Sequence, residues 1–98
     1  MSELNVVNNA DEKRFEVQLD DGSIAMIEYM RAGNNIIYTH TEVPEQYGGQ
    51  GIASKMAKVA LDYAKENGLR VQALCPFVKK YVIEHPEYQS ITWGFGDR

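Results

Sequence analysis

The sequence predicts an α/β domain of the α+β kind, in which an antiparallel meander is followed by a β-α-β crossover and a short helix. Two observations predict this class. Apolar and polar residues alternate in the first half of the chain, and this period of two residues is typical of half-buried strands. A stretch with helical spacing then separates the last strand of the meander from one more apolar, strand-like run, and this order favours parallel pairing on one mixed sheet.

Length and composition limit the protein classes that fit. The 98 residues suit a single domain, 1–98, with one core. A net charge of −4 argues against a nucleic-acid partner and fits a cationic substrate such as an amine. No apolar run approaches the ~18 to 20 residues that span a bilayer, so no membrane partner is expected. One cysteine and an N-terminus without signal-peptide features indicate a cytoplasmic protein, and two separated histidines give no metal pattern.

The meander is predicted to contain three strands, at residues 15–19, 24–31 and 36–43. Phe15, Val17 and Leu19 alternate with polar residues in the first strand. The turns at residues 20–23 and 32–35 are rich in Asp, Asn and Gly, which tolerate the backbone angles of hairpin turns. Pro44 ends the third strand.

The second half is predicted to be helix, strand and short helix. An apolar stripe runs along residues 51–67, and Asn67-Gly68 is a typical helix stop. Residues 69–75 form the fourth strand, after which Pro76 starts a helix that ends before Pro86. In the tail, residues 89–98, apolar residues alternate, and a last short strand and a covering arm both fit.

A glycine-rich corner joins the third strand to the long helix. Gly48, Gly49 and Gly51 allow the backbone to bend sharply and to approach a ligand closely. The free N–H groups and dipole of a helix N-terminus favour an anion, so a phosphate or pyrophosphate fits this corner. A plain glycine turn is the alternative. The Gly-Lys-Ser/Thr sequence of a P-loop is absent, which counts against nucleotide hydrolysis.

The order of elements, with Gln46-x-x-Gly49-x-Gly51 at the corner, resembles the acetyl-coenzyme-A-binding core of the GNAT superfamily of N-acyltransferases. Four segments extend the resemblance to minimal, single-domain GNAT-like proteins: residues 39–45, the corner, Leu74-Cys75-Pro76-Phe77-Val78 and residues 85–88. It covers about residues 6–88. It implies a compact sheet that splays open between the strands before and after the long helix.

The resemblance also implies which residues hold acetyl-coenzyme A, the expected co-substrate. By this resemblance, Glu42 and Val43 are expected to pair with the pantetheine arm of the cofactor. The Ser54 hydroxyl is expected to contact the pyrophosphate. The backbone N–H groups assigned to the pyrophosphate follow Gln46 and belong to Tyr47, Gly48, Gly49, Gln50, Gly51, Ile52 and Ala53. Many relatives carry an arginine or another large residue where this chain has Gly48, so we expect a more flexible and less positively charged loop here.

Three residues are candidates for catalysis. His40 and Glu42 lie two residues apart on one strand, so their side chains share a face and either suits a general base; a structural histidine and a solvent-facing glutamate are the alternative. Cys75 precedes a helix start, where the dipole favours the thiolate, and the resembling family has a cysteine there beside the acetyl group. Direct attack by the amine and transfer through an acetylated Cys75 both remain open.

The resemblance implies a general-acid tyrosine on the following helix at the position of Val82. Tyr81 is displaced by one residue, about 100° around a helix, and is expected to pack instead. The predicted function is N-acetyl transfer from acetyl-coenzyme A to a small-molecule or peptide amine by a monomer or weak homodimer. The alternative is a non-catalytic acyl-coenzyme-A-binding sensor or adaptor, which the absence of the N-terminal helices usual in GNAT proteins favours.

Overall fold

The computed structural model of the protein describes residues 4–95. The predicted meander, long helix, strand and short helix follow one another as expected, with a short 3₁₀ helix at Glu45–Tyr47 in the corner and another at Pro86–Ile91 near the end. The remaining elements are β1 (Val7–Asn9), β2 (Arg14–Gln18), β3 (Ile24–Ala32), β4 (Asn35–Glu42), α1 (Ile52–Glu66), β5 (Arg70–Ala73) and α2 (Pro76–Glu84).

One mixed sheet carries the fold, in the strand order β1-β2-β3-β4-β5. Neighbouring strands from β1 to β4 run antiparallel, whereas β5 lies parallel to β4 because α1 carries the chain back between them. The predicted α/β class, its mixed sheet and its two helices are therefore confirmed.

The meander is longer than predicted, because Val7–Asn9 adds an edge strand to the three expected ones. Asn8 lies opposite Phe15, and its side-chain oxygen accepts a 2.6 Å hydrogen bond from the hydroxyl of Tyr29. The side chain of Asn9 donates to Glu16 across the same pair of strands. This strand is short and polar and is fixed by side-chain hydrogen bonds, so it has no alternation of apolar residues to detect.

The core lies between one face of the sheet and the two helices. Tyr38 is fully buried in it and donates a 2.6 Å hydrogen bond to the main-chain oxygen of Ala60 in α1. The apolar stripe of α1 was predicted correctly, and Ala53 is the one predicted member that is only half-buried. Its buried residues are Ile52, Met56, Ala57, Ala60, Leu61 and Ala64.

The opposite face of the sheet, here called the open face, carries the residues that alternate with the core positions. Arg14, Glu16, Met26 and Glu28 point to this side, and none of them is buried. Within residues 4–95, no helix is long and apolar enough to cross a membrane.

The described part of the tail is closer to the covering arm than to a strand, since Ile91 and Phe95 pack against the core. It is a 3₁₀ helix up to Ile91, after which Thr92 forms one parallel bridge with Val71. Trp93 donates its main-chain N–H to Val71 O. Residues 96–98 of the predicted tail lie outside the described residues.

Candidate active site

The sheet opens between β4 and β5 at Tyr38. The last paired residues are Tyr38 and Ala73, and the main-chain N–H groups of Leu74 and Cys75 both donate to Tyr38 O at 3.0 Å. The chain then turns away into α2, while β4 continues to Glu42 beside β3. In the described residues, the β5-facing edge of β4 over residues 39–42 therefore has no strand partner.

A β-bulge in β4 marks the same level of the sheet. Glu28 of β3 lies opposite His40 and Tyr29 lies opposite Tyr38, so Thr39 is an extra residue in β4. A bulge bends its strand and increases the local twist, and this one lies where the pairing of β4 with β5 ends. The predicted splay is therefore present, and the bulge coincides with its start.

The glycine corner leaves backbone donors free at the start of α1. Gly51 is the N-cap residue, with φ +79°, and supplies no capping side chain. The first helical hydrogen bond runs from Lys55 N to Gly51 O, so the N–H groups of Ile52, Ala53 and Ser54 have no acceptor inside the helix. Gly49 also has a positive φ of +83°, whereas Gly48, at φ −63°, has an extended backbone open to any residue.

The turn between β2 and β3 is tied to the first part of this corner. The Asp21 carboxylate accepts a 3.0 Å hydrogen bond from the Gln46 amide, and the Asp21 main-chain N–H donates to the Tyr47 hydroxyl at 3.1 Å. Hydrogen bonds from Ser23 and Gln46 lower the pKa of Asp21 to about 2. The Gln46 side chain therefore contacts the neighbouring turn, and a ligand at the corner would meet the main chain of Gln46.

The predicted catalytic residues lie on opposite sides of the sheet: His40 and Glu42 on one face of β4, and Cys75 beside Thr41 on the other. His40 and Glu42 are cross-strand partners of Glu28 and Met26 on the open face, and His40 Nε2 lies 3.2 Å from Glu42 Oε1. Both side chains are exposed, as a group that meets an incoming substrate has to be.

Cys75 belongs to the other side. Thr41 lies opposite the buried Ile27 on the core face, and its hydroxyl is 3.0 Å from Cys75 Sγ. Cys75 is the N-cap residue of α2 and only 3% exposed. The described contacts of its thiol therefore involve Thr41 and neither of the candidate bases.

Tyr81 packs, as its displaced position predicted. It is 8% exposed and its ring stacks on His85, with 3.8 Å between the ring centroids. Burial raises the pKa of Tyr81. The position implied for a general acid is held by Val82, which is fully buried and whose side chain has no titratable group.

Two residues of the site, Thr41 and Asp21, were not predicted from the sequence. Thr41 gave no signal, because a threonine is an ordinary strand residue and its contact with Cys75 joins positions 34 residues apart. Asp21 was assigned only to a hairpin turn. Within residues 4–95, no group of three or more His, Cys, Asp or Glu side chains is arranged to hold a metal ion.

The parallel strands part beside a glycine-rich helix N-terminus, a geometry that suits an anionic ligand. Comparison with known proteins identifies the family. The family model of GCN5-related N-acetyltransferases matches residues 14–91. The chain belongs to this family of GNAT acetyltransferases.

Individual relatives agree with the family assignment. Protein NATD1 of Mus musculus is 37% identical over 87 residues, covering 85% of this chain and 77% of its own length. Protein NATD1 of Danio rerio is 33% identical over 90 residues, covering 87% of this chain and 81% of its own. A GCN5-like protein from Staphylococcus aureus, solved by NMR, superposes with a TM-score of 0.75 at 30% identity and covers 100% of this chain and 96% of its own.

Proposed function

We propose that this protein transfers an acetyl group from acetyl-coenzyme A to a primary amine, by direct attack of the amine. The observation that carries the proposal is the combination of free helix N-terminal donors at the corner with an unpaired edge of β4 leading from it. Membership of the acetyltransferase family supports the class of reaction.

The donor chemistry of the opening fits acetyl-coenzyme A. Main-chain N–H groups at the start of α1 suit a pyrophosphate, and Lys55 lies one turn into the same helix. The unpaired edge of β4 offers main-chain groups to an amide-containing chain such as pantetheine, in the manner of an added strand. We assign this contact to the end of β4, at Glu42 and Val43.

The chemistry then needs a base on the side from which the amine arrives. The neutral amine nitrogen forms a bond to the acetyl carbon and loses a proton, the carbon–sulfur bond breaks, and the thiolate of coenzyme A leaves and is protonated from water. His40 and Glu42 lie together on the open face, so we assign the amine's proton to this pair, directly or through one water.

Direct attack is favoured over an acetylated cysteine. Cys75 is buried and contacts Thr41, on the opposite face of β4 from His40 and Glu42. A nucleophilic thiol needs access to the acetyl carbon and a base within hydrogen-bond reach, and these described contacts provide neither. We infer that Cys75 and Thr41 join the two strands where they begin to part.

A second function, an acyl-coenzyme-A-binding sensor, is favoured by one observation. The position implied for the general acid is held by the buried Val82, and the neighbouring Tyr81 is stacked on His85. Such a protein would keep the cofactor opening and lack efficient transfer.

The test combines binding with turnover. Isothermal titration with acetyl-coenzyme A measures the cofactor site, and thiol release in the presence of an amine panel measures transfer. The enzyme requires both, the sensor gives binding alone, and absence of binding contradicts both functions.

Variants separate the two chemical routes. Glu42→Gln and His40→Gln are expected to lower kcat about 10²-fold or more, the usual share of a general base, with little change in acetyl-coenzyme A affinity. Cys75→Ala is expected to keep turnover within a few-fold. Loss of turnover in Cys75→Ala, together with acetylation of Cys75 seen by mass spectrometry, would contradict direct attack.

A further inference from the structure

Glu28 lies directly beside the proposed base pair and has no role in the transfer described so far. It is the cross-strand partner of His40, and Glu42 is its diagonal neighbour on the same face of the sheet. Directly opposed side chains are ~4.5–5.5 Å apart at Cβ, and diagonal ones ~7–8 Å. A ligand that contacts the base pair is therefore within reach of the Glu28 carboxylate.

The main chain fixes Glu28 at the level where the sheet opens. Glu28 O accepts a 3.3 Å hydrogen bond from the hydroxyl of Thr39, the extra residue of the β-bulge. The next residue, Tyr29, is the partner of Tyr38, which is the last residue of β4 that pairs with β5. Both Ile27 and Tyr29 are buried in the core, so the half-buried side chain of Glu28 points to the open face.

The positive side chain opposite Glu28 on β2 is directed elsewhere. Arg14 is that cross-strand partner, but its Nε donates a 2.6 Å hydrogen bond to Glu16 and its Nη1 lies 3.9 Å from Met26 Sδ. Among the groups that raise the pKa of Arg14, Glu16 comes first and Glu28 last. Within residues 4–95, Glu28 forms no ion pair. A half-buried carboxylate without a counter-ion favours the binding of a cation.

We propose that Glu28 determines the acceptor specificity by binding a second positive charge of the acceptor, while His40 and Glu42 receive its reacting amine. This inference rests on the proposed function and names the substrate class as a small diamine. The separation of Glu28 from the pair suits two nitrogens ~5–8 Å apart, joined by about three to five methylene groups. The nitrogen at Glu28 stays protonated, and the one at the pair loses its proton. The net charge of −4 favours the approach of such a dication.

The test compares three acceptors that differ only at the far end of the same amine chain. Cadaverine carries a second ammonium group there, n-hexylamine a methyl group and 6-aminohexanoate a carboxylate. We expect kcat/KM on the intact protein to fall in that order. Cadaverine should exceed n-hexylamine about fivefold or more, the level of a charged contact on a partly exposed side chain. That difference is larger than the statistical advantage of two equivalent amines.

Glu28→Gln keeps the size of the side chain and removes its charge. It should raise the KM for cadaverine until kcat/KM is within about twofold of that for n-hexylamine, while the KM for acetyl-coenzyme A stays that of the parent. Glu66→Gln is the matched control, because it removes the same charge from an exposed position at the end of α1. A loss confined to Glu28→Gln identifies a contact rather than the overall field of the protein.

Binding without turnover separates this inference from the proposed reaction. In an amide ¹H–¹⁵N titration, cadaverine should cause saturable shift changes at residues 26–28 and 40–42, at lower concentration than n-hexylamine. Glu28→Gln should remove that difference in concentration. These results support the inference even if no amine is acetylated, which would count against the reaction alone.

Three results would overturn the inference. One is n-hexylamine equal to or better than cadaverine in turnover or, where no transfer occurs, in binding, including no saturable binding of either. Another is a preference for cadaverine that survives Glu28→Gln. The third is a preference that Glu66→Gln reduces as much as Glu28→Gln does.

Discussion

Two adjacent glycines of the corner should respond differently to the addition of one methyl group. Gly49 has φ +83°, a region that L-residues adopt at a cost of about 1–2 kcal/mol, although an added Cβ meets no atom within 4 Å. Gly48 has φ −63°, and its Cβ would lie 3.3 Å from Glu45 O. Gly48→Ala restricts the unfolded chain, a gain of about 0.4–1 kcal/mol that this close contact partly offsets.

We therefore expect Gly49→Ala to lower the free energy of unfolding by about 1–2 kcal/mol and Gly48→Ala to stay within about 1 kcal/mol of the parent. In a domain of this size the first change corresponds to a fall in Tm of roughly 4–15 °C. Urea unfolding and calorimetry measure both effects, and isothermal titration measures acetyl-coenzyme A affinity in the same samples. Affinity should fall in Gly49→Ala alone.

Equal destabilisation by the two substitutions, or a larger loss in Gly48→Ala, would refute the assigned backbone angles. Gly48→Arg extends the test, since φ at this position accepts a side chain. It is expected to tighten binding, with the gain decreasing as salt is raised.

The remaining predictions concern the contacts that hold the opening in place. Tyr38→Phe removes the buried hydrogen bond to Ala60 and should cost about 1–2 kcal/mol in urea unfolding; a neutral effect would show that this bond adds nothing. Gln46→Glu places a second carboxylate beside Asp21 and should weaken acetyl-coenzyme A binding several-fold. The double variant Asp21→Asn with Gln46→Glu exchanges donor and acceptor at unchanged net charge and should restore binding; an additive loss by titration would reject the contact. Because the folded pKa of Asp21 is about 2, below its ordinary 3.8, its contribution to stability is complete above pH 3.8 and is lost as pH falls through 2. Acid unfolding of Asp21→Asn should be less steep in that window, and an unchanged profile would contradict the lowered pKa.

Local patterns in the sequence were enough to predict most of the fold. The α1 stripe, the stop at Gly68 and the start of α2 at Pro76 each depend on residues within a few positions of one another, and each was confirmed. The strand β1 was missed because Asn8 and Asn9 are fixed by partners elsewhere in the chain, and its polar residues carry no period.

The site was only partly predictable for the same physical reason. The shared face of His40 and Glu42 follows from their spacing on one strand, and the structure places the two side chains together. Their separation from Cys75 arises because Cys75 contacts Thr41, which occupies the other face of β4 after the bulge at Thr39, and only the pairing with β3 reveals that face. The tail around Trp93 is fixed by contacts with Asn35, Arg70 and Val71, far away in the sequence, so its alternating residues alone left strand and arm equally open.

The most direct test of the account is an amide ¹H–¹⁵N titration of the protein with coenzyme A. If the cofactor lies along the opening, the largest shift changes should fall on residues 48–54 at the corner and 40–43 at the end of β4, and they should saturate together. In Gly49→Ala the same residues should respond at higher ligand concentration. Saturable changes confined to other parts of the sheet, or no change at excess ligand, would contradict the placement of the cofactor in this opening.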